Sequence, residues 1–244
     1  MVKAPQKTVT IEQNKKSAPP DSIPLAPIQK LIAERMLQSK TNKPCFYLEA
    51  KADVTELIYI RPKIRKTLGV KITTNAFYIR ALALSVKEFP LMIGRLNRTD
   101  ETIEIPKQIN VGFAVNAPKG LVVPVIKDAH NKTLIDIATE EKSLTEAARS
   151  NKLTLKQIEA ENIALSNLGV YGIDSFFGIV PPPASTILAV GNAIRTVIHK
   201  NGRYLWRKIL SLTLAVDHRI INGDYASKFL ASIVDKLQSP ENLI

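Results

Sequence analysis

The segment AVDHRIINGD places one of the chain's three histidines beside other side chains capable of acid–base chemistry. Asp217, His218, Arg219 and Asn222 fall within six consecutive residues. A neutral imidazole accepts a proton near physiological pH, a guanidinium pairs with a carboxylate, and an amide donates or accepts hydrogen bonds. His218 is therefore a candidate general base. The alternative is a structural histidine whose ring is satisfied by the backbone.

A second candidate is Ser166, which follows a short apolar run and precedes a turn containing glycine, in ALSNLG. No G-x-S-x-G sequence surrounds it, so the pattern does not indicate a hydrolase nucleophile. Its hydroxyl could donate to a substrate oxyanion or simply cap the turn. Cys45 heads an alternating strand, which favours a small packed residue over a nucleophile. His130 lies in the polar segment DAHNK, and His199 precedes the hairpin signal Asn201-Gly202.

The elements on either side of His218 are predicted from hydrophobic spacing. Alternation in ILSLTLAV predicts a strand that ends before the histidine. Downstream, apolar residues recur at helical spacing, at Ala226, Phe229, Leu230, Ile233 and Leu237. The candidate base therefore lies in a strand-to-helix connection, and such loops commonly carry functional side chains.

The remaining pattern predicts an α/β (α+β) chain with a mixed sheet. We expect helices over residues 28–40, 74–90 and 133–149 and a short helix opened by a capping box at 154–157. Strands are predicted over 46–54, 110–129 (a hairpin through APKG), 162–168 and 185–200. Several strand pairs are joined by tight turns, which favours antiparallel neighbours within the sheet.

Composition and charge limit the classes of protein to which this chain can belong. Residues 1–22 are rich in Lys, Pro, Ala, Gln and Ser and predict a flexible linker or tail, leaving residues 23–244 as one globular domain. A single cysteine, no signal peptide and no long apolar run predict a cytoplasmic or organelle-matrix location, without secretion or membrane insertion. No Cys/His cluster has metal-ligand spacing. The net charge of +12 is spread along the chain without a nucleic-acid-binding signature, which favours an ordinary solvated surface; an acidic partner or a polyanionic small molecule would also suit this charge.

Several segments together resemble one family of enzymes. DHRIING is similar to the D-H-R-x-x-[DN]-G signature of the dihydrolipoyl acyltransferases, the core components of 2-oxoacid dehydrogenase complexes. IPLAPIQKLIAERMLQSK resembles the family's opening helix, and FYLEAKADV its first strand. INVGFAVNAPKGLVVPVIKDA resembles its hairpin, and LSNLGVYGID and PPPASTILAVG its serine-bearing segment and the strand after it.

The resemblance implies a fold like that of chloramphenicol acetyltransferase, in which trimers place the histidine of one subunit opposite the serine of its neighbour. It implies His218 as general base, Ser166 as oxyanion donor and Asn222 as a polar partner near the reacting centre. Arg219, with Asp217 or another acidic residue, would hold the loop. Arg35, on the first helix, is expected to contact the phosphates of coenzyme A, the acyl acceptor.

The resemblance also implies partners. The acyl donor would be a lipoyl group carried by a lipoyl domain that is absent from this chain, and SNLG favours acetyl as the acyl group. A homotrimer would assemble into a larger core that holds peripheral dehydrogenase subunits, with a 24-mer, a 60-mer and an isolated trimer left open. The chain is expected to be either an excised catalytic core or a short relative. Two alternatives are a structural core with a decayed site and a free-standing acetyltransferase for small alcohols.

Overall fold

The computed structural model describes residues 24–25, 27–97, 99, 101–118 and 120–244, so the tail predicted over residues 1–22 lies outside them. The helices in the described part are α1 (Pro27–Asn42), α2 (Thr55–Leu68), α3 (Thr74–Glu88), α4 (Leu134–Arg149) and α5 (Gly223–Gln238). The strands are β1 (Cys45–Asp53), β2 (Arg95–Leu96), β3 (Ile103–Glu104), β4 (Val111–Phe113), β5 (Val115–Ala117), β6 (Gly120–Val122), β7 (Val125–Ile126), β8 (Ile163–Asn167), β9 (Thr186–Val190), β10 (Ile194–Lys200) and β11 (Arg203–Asp217).

One mixed sheet organises the fold, in the strand order β1-β11-β9-β8-β4-β7 with β10 paired to β11. The β4/β8 and β8/β9 pairs are parallel, whereas the other pairs of this sheet are antiparallel. Two short antiparallel pairs, β2/β3 and β5/β6, lie outside it. The predicted mixed sheet is confirmed.

The longest strand, β11, connects the two ends of the molecule. Its first half forms a hairpin with β10 across Asn201 and Gly202, both at positive φ (52° and 73°), as an Asn-Gly turn requires. Its second half is buried between β1 and β9 and delivers the chain to Asp217. Strand alternation therefore fixes where the residues after β11 emerge.

The helices cover the core as their hydrophobic spacing predicts. In α5 the buried residues are the five predicted, at Ala226, Phe229, Leu230, Ile233 and Leu237. The helix predicted over residues 74–90 is α3, which packs against both α5 and α4. No helix in the described ranges is long and apolar enough to cross a membrane.

Three segments depart from the expected elements. Residues 55–68, for which the pattern gave no prediction, form α2 even though Pro62 lies inside it. The hairpin at 110–129 is divided between two sheets. Pro124 lies at the division: it has no N–H to donate to a ladder, and its carbonyl oxygen accepts from the Phe113 N–H. The run at 185–200 breaks into β9 and β10 at Gly191, where a Cβ would lie 1.9 Å from the Asp174 carbonyl oxygen. Close approach of two backbones interrupts the strand there.

Candidate active site

The connection after β11 is held at both ends. At its start, the His218 N–H donates to the Pro44 carbonyl over 3.0 Å, and the Ile221 N–H donates to the Asp217 carbonyl over 3.1 Å. At its end, Asn222 is the N-cap of α5, with Oδ1 accepting from the Tyr225 N–H at 2.9 Å. Because the cap occupies Oδ1, the Nδ2 amide is the part of Asn222 that could donate to a substrate.

Asp217 and Arg219 form an ion pair inside this connection. Arg219 donates to the Asp217 carboxylate from Nε at 3.0 Å and Nη2 at 2.8 Å, and its backbone N–H donates at 3.1 Å. The Asp217 side chain is 1% exposed and that of Arg219 is 35% exposed. Two parallel charge-assisted bonds give the loop a defined shape. Close by, burial lowers the pKa of Lys43, and the Asp217 carboxylate opposes that shift.

The His218 ring is exposed on the surface of its own chain. It lies on Phe46, with the ring centroids 4.5 Å apart and the planes tilted by 47°. The imidazole is therefore supported on one side and accessible from outside the subunit. The alternative of a histidine enclosed in the core is wrong.

Ser166 lies in β8 beside a groove of about 380 Å³. The walls are mostly apolar and come from α1, β6, β8 and the loop before β9, including Leu31, Met36, Leu121, Leu165, Ile179 and Pro182. Arg35 lines the same groove with Glu161, where burial raises the pKa of the glutamate and Arg35 acts in the opposite direction. The structure thus brings Arg35 and Ser166 to one groove.

The histidine and serine of one chain are far apart. Ser166 pairs with Ala189 of β9, which pairs with Thr213 of β11, five residues before His218. Two strand spacings of about 4.8 Å and five rises of about 3.3 Å give roughly 19 Å between the Cα atoms of Ser166 and His218. One chain by itself does not place both side chains on a single reacting group.

The other nucleophile and base candidates lie outside this arrangement. Cys45 is half-buried against a small cluster that includes Ala184 and Ala215, and burial raises the pKa of its thiol. His199 is exposed on the β10 side of the hairpin, and His130 Nδ1 lies 3.1 Å from Asp128. In the part of the chain that the structure describes, no three His, Cys, Asp or Glu side chains are placed to hold a metal ion.

A basic cavity of about 530 Å³ escaped the sequence analysis. Arg61, Arg65 and Lys66 of α2 line it with Lys71, and the first turn of α3 closes one side. No carboxylate is among its lining residues, all of which lie in the described ranges. The sequence signal for it is RPKIRKTLGVK, residues 61–71, a local concentration of basic residues within a charge that is otherwise spread along the chain.

Comparison with known proteins defines the class of fold first. A chloramphenicol acetyltransferase structure aligns with 84% of this chain and 94% of its own at a TM-score of 0.50 and 14% identity, a likeness of fold alone. The chain belongs to the family described as 2-oxoacid dehydrogenases acyltransferase (catalytic domain), whose model matches residues 17–244. The resemblance drawn from the sequence motifs is confirmed.

Relatives within the family are similar over most of this chain. The dihydrolipoyllysine-residue acetyltransferase component of the pyruvate dehydrogenase complex from Rickettsia bellii is 36% identical over 228 residues, 91% of this chain and 54% of that protein. This chain therefore spans about half the length of the curated relatives it matches. The cubic core of a pyruvate dehydrogenase multienzyme complex is 31% identical with a TM-score of 0.88, covering 94% of this chain and 96% of the other.

A third relative bears on the site. The dihydrolipoamide acetyltransferase of Azotobacter vinelandii is 30% identical with a TM-score of 0.88, again over 94% of this chain and 96% of the other. The role of a serine, a histidine and an asparagine in its catalytic mechanism has been investigated, and these residues are separated by 52 and 4 positions. Ser166, His218 and Asn222 have the same two separations.

Proposed function

We propose that this chain transfers an acyl group, acetyl preferred, from S-acyl-dihydrolipoamide to coenzyme A. The observation that carries the proposal is the shared spacing of serine, histidine and asparagine with the Azotobacter vinelandii acetyltransferase, on a matching fold. The exposed imidazole of His218 and the groove beside Ser166 supply the two surfaces such a reaction needs.

His218 acts as the general base. It takes the proton from the coenzyme A thiol, since a free thiol is only a few per cent thiolate at neutral pH. The sulfur then attacks the thioester carbonyl and forms a tetrahedral oxyanion. The Ser166 hydroxyl donates a hydrogen bond to this oxygen, an interaction worth roughly 2.7–4 kcal/mol in other oxyanion holes. The intermediate collapses by breaking the bond to the dihydrolipoamide sulfur, which takes the proton back from the imidazolium.

Asn222 and the Asp217–Arg219 pair support this step from the same connection. With its Oδ1 engaged in the α5 cap, Asn222 offers Nδ2 as a donor near the reacting centre. The ion pair holds the backbone on either side of His218, so the ring does not have to be ordered when substrate binds.

The reaction site lies between two copies of the chain. Within one chain His218 and Ser166 are roughly 19 Å apart and cannot act on the same reacting group. A cyclic trimer repeats one heterologous interface three times, and each interface can bring the histidine of one subunit next to the serine of its neighbour. We place the trimer in a larger core, in the cytoplasm or an organelle matrix. Lipoyl domains would deliver the acyl group there, and peripheral dehydrogenase subunits would bind around it.

Two basic sites compete for the phosphates of coenzyme A. Arg35, which the resemblance predicts to contact the phosphates, lies in the groove with Ser166. The cavity of Arg61, Arg65, Lys66 and Lys71 offers four cations, and the neighbouring first turn of α3 contacts the end of β8. We assign the phosphates to this cavity because it concentrates more positive charge without a carboxylate among its lining residues. Arg61→Gln should raise the KM for coenzyme A several-fold, and a larger effect of Arg35→Gln would reverse the assignment.

Transfer between acetyl-dihydrolipoamide and coenzyme A, followed by thioester absorbance, tests the function. We expect His218→Ala to lower kcat by about 10²–10⁴-fold. His199→Ala is the matched control, because its ring is exposed on the hairpin away from the site, and it should retain full activity. An inactive wild type would favour the structural core, and transfer to small alcohols alone would favour the free-standing enzyme.

A further inference from the structure

A partly buried chain of side chains runs from α4 through α3 to the residue that follows Ser166. Glu141 of α4 is 6% exposed and accepts a hydrogen bond from the Thr73 hydroxyl, and Asn75 lies near enough to lower the pKa of the Glu141 carboxyl against the effect of burial. Asn75, in the first turn of α3, accepts from Asn167 Nδ2 at 2.8 Å. Asn167 Oδ1 in turn accepts from the Gly169 N–H at 3.0 Å.

The direction of every bond in this chain is set by Glu141. An ionised carboxylate only accepts hydrogen bonds, so Asn75 must turn its NH₂ group toward Glu141 and its Oδ1 away. That Oδ1 can be satisfied only by a donor, and the Asn167 amide therefore presents NH₂ to it and Oδ1 to the turn. One buried acid thus decides the orientation of two successive amides.

The backbone of the turn after Ser166 is held by close contacts, so it cannot shift to compensate for a displaced Asn167. Leu168 N–H donates to the Val190 carbonyl at 3.2 Å. A Cβ on Gly169 would lie 2.3 Å from the Gly191 oxygen, so the two backbones touch. The amide of Asn167 is the side-chain contact that ties the end of β8 to α3 immediately beside the serine.

We propose that Glu141 and Asn75 are positioning residues that set the location of the Ser166 hydroxyl through Asn167. The inference rests on the proposed role of Ser166 as oxyanion donor. Neither residue lines the Ser166 groove or the basic cavity assigned to the coenzyme A phosphates, so neither is expected to touch substrate. The burial of Glu141 and its hydrogen bond from Thr73, the N-cap of α3, hold the start of α3 in place while the oxyanion forms and collapses.

Asn75→Ala tests the proposal by separating kcat from KM. A misplacement of about 1 Å can cost roughly 10²-fold in rate, so we expect kcat to fall about 10- to 100-fold. The KM values for coenzyme A and dihydrolipoamide should change less than about twofold, since binding contacts are retained. Asn131→Ala, which removes an exposed amide paired with Asp128, is the matched control and should leave kcat unchanged. A rise in KM at constant kcat would overturn the proposal.

Three further variants keep the test independent of simple unfolding. Asn167→Asp retains the acceptor for the Gly169 N–H but loses the donor to Asn75, and it should lower kcat as Asn75→Ala does. Glu141→Gln retains an acceptor oxygen for Asn75 and should keep most of the activity, whereas Glu141→Leu should not. Loss of activity in Glu141→Gln equal to that in Glu141→Leu, in folded protein, would refute the directional chain.

A double-variant cycle distinguishes failure of this inference from failure of the proposed function. If Asn75 acts through Ser166, then Asn75→Ala lowers kcat in the wild type but has no further effect in Ser166→Ala. Full activity of Ser166→Ala alone would refute the oxyanion role itself. A large loss in Ser166→Ala, followed by an equal additional loss from Asn75→Ala, would leave the proposed function standing and refute the positioning role.

Discussion

A site shared by two copies of the chain makes a quantitative prediction for mixed assemblies. His218→Ala and Ser166→Ala each remove one half of the site, and the two halves lie roughly 19 Å apart in one chain. Each variant assembled alone should have below about 1% of wild-type activity, from losses of about 10²-fold or more. Co-expressed, they should recover activity because a boundary can receive an intact histidine from one copy and an intact serine from the next.

The recovered fraction follows from the geometry of a ring. Going round a cyclic trimer that contains both variants, only one of the three boundaries joins the intact histidine to the intact serine. With equal, random mixing the chance per boundary is a half times a half, which gives about one quarter of wild-type turnover per chain. The transfer assay is made on the unfractionated co-expressed protein, because isolating only the mixed trimers would raise this fraction to about one third.

A second mixture makes the test decisive. Wild type co-expressed with the double variant His218→Ala/Ser166→Ala should also give about one quarter if the site is shared, but about one half if each chain carries its own site. Activity of the first mixture no greater than the mean of its two parents, together with one half in the second, would refute the shared site. Recovery of one quarter in both mixtures is the expected result.

Three predictions concern the framework of the site. Gly191→Ala should lower the free energy of unfolding by about 1–3 kcal/mol in urea titration, because its Cβ would lie 1.9 Å from the Asp174 oxygen and the loop must move; an unchanged midpoint would contradict that close approach. Asp217→Asn should lower the free energy of unfolding by about 1–3 kcal/mol in the same titration, less than for a fully buried ion pair because the side chain of Arg219 is 35% exposed. A free energy of unfolding equal to that of the wild type would show that the pair does not stabilise the fold. Burial raises the pKa of Glu141, so the native state binds this proton more tightly than the unfolded state does. The free energy of unfolding therefore falls as pH rises from the unfolded-state pKa near 4.5 through the higher folded-state pKa. Glu141→Gln should remove that fall in pH-dependent unfolding, and an unaltered profile would exclude Glu141 as its source.

Much of the fold was predictable because hydrophobic spacing records burial. The five buried positions of α5, the end of the strand before His218 and the Asn201-Gly202 turn all follow from local pattern and turn chemistry. The segment 55–68 was missed since Pro62 and the basic residues around it obscure the apolar face of α2. The cavity that those basic residues line was missed with it.

The candidate residues were determined by the sequence alone, through their types and their spacing in recognisable motifs. Whether His218 was enclosed or accessible was a question of tertiary structure, and the answer came from the pairing of β1 with β11, which leaves the ring on Phe46 at the surface. The separation of Ser166 from His218 likewise depends on two non-local strand pairings, β8/β9 and β9/β11. So does the contact of Asn75 with Asn167, residues 92 positions apart. The local sequence pattern predicts which residues are buried and where the chain turns. The distances between side chains far apart in the sequence are set only by the strand order and register of the folded sheet.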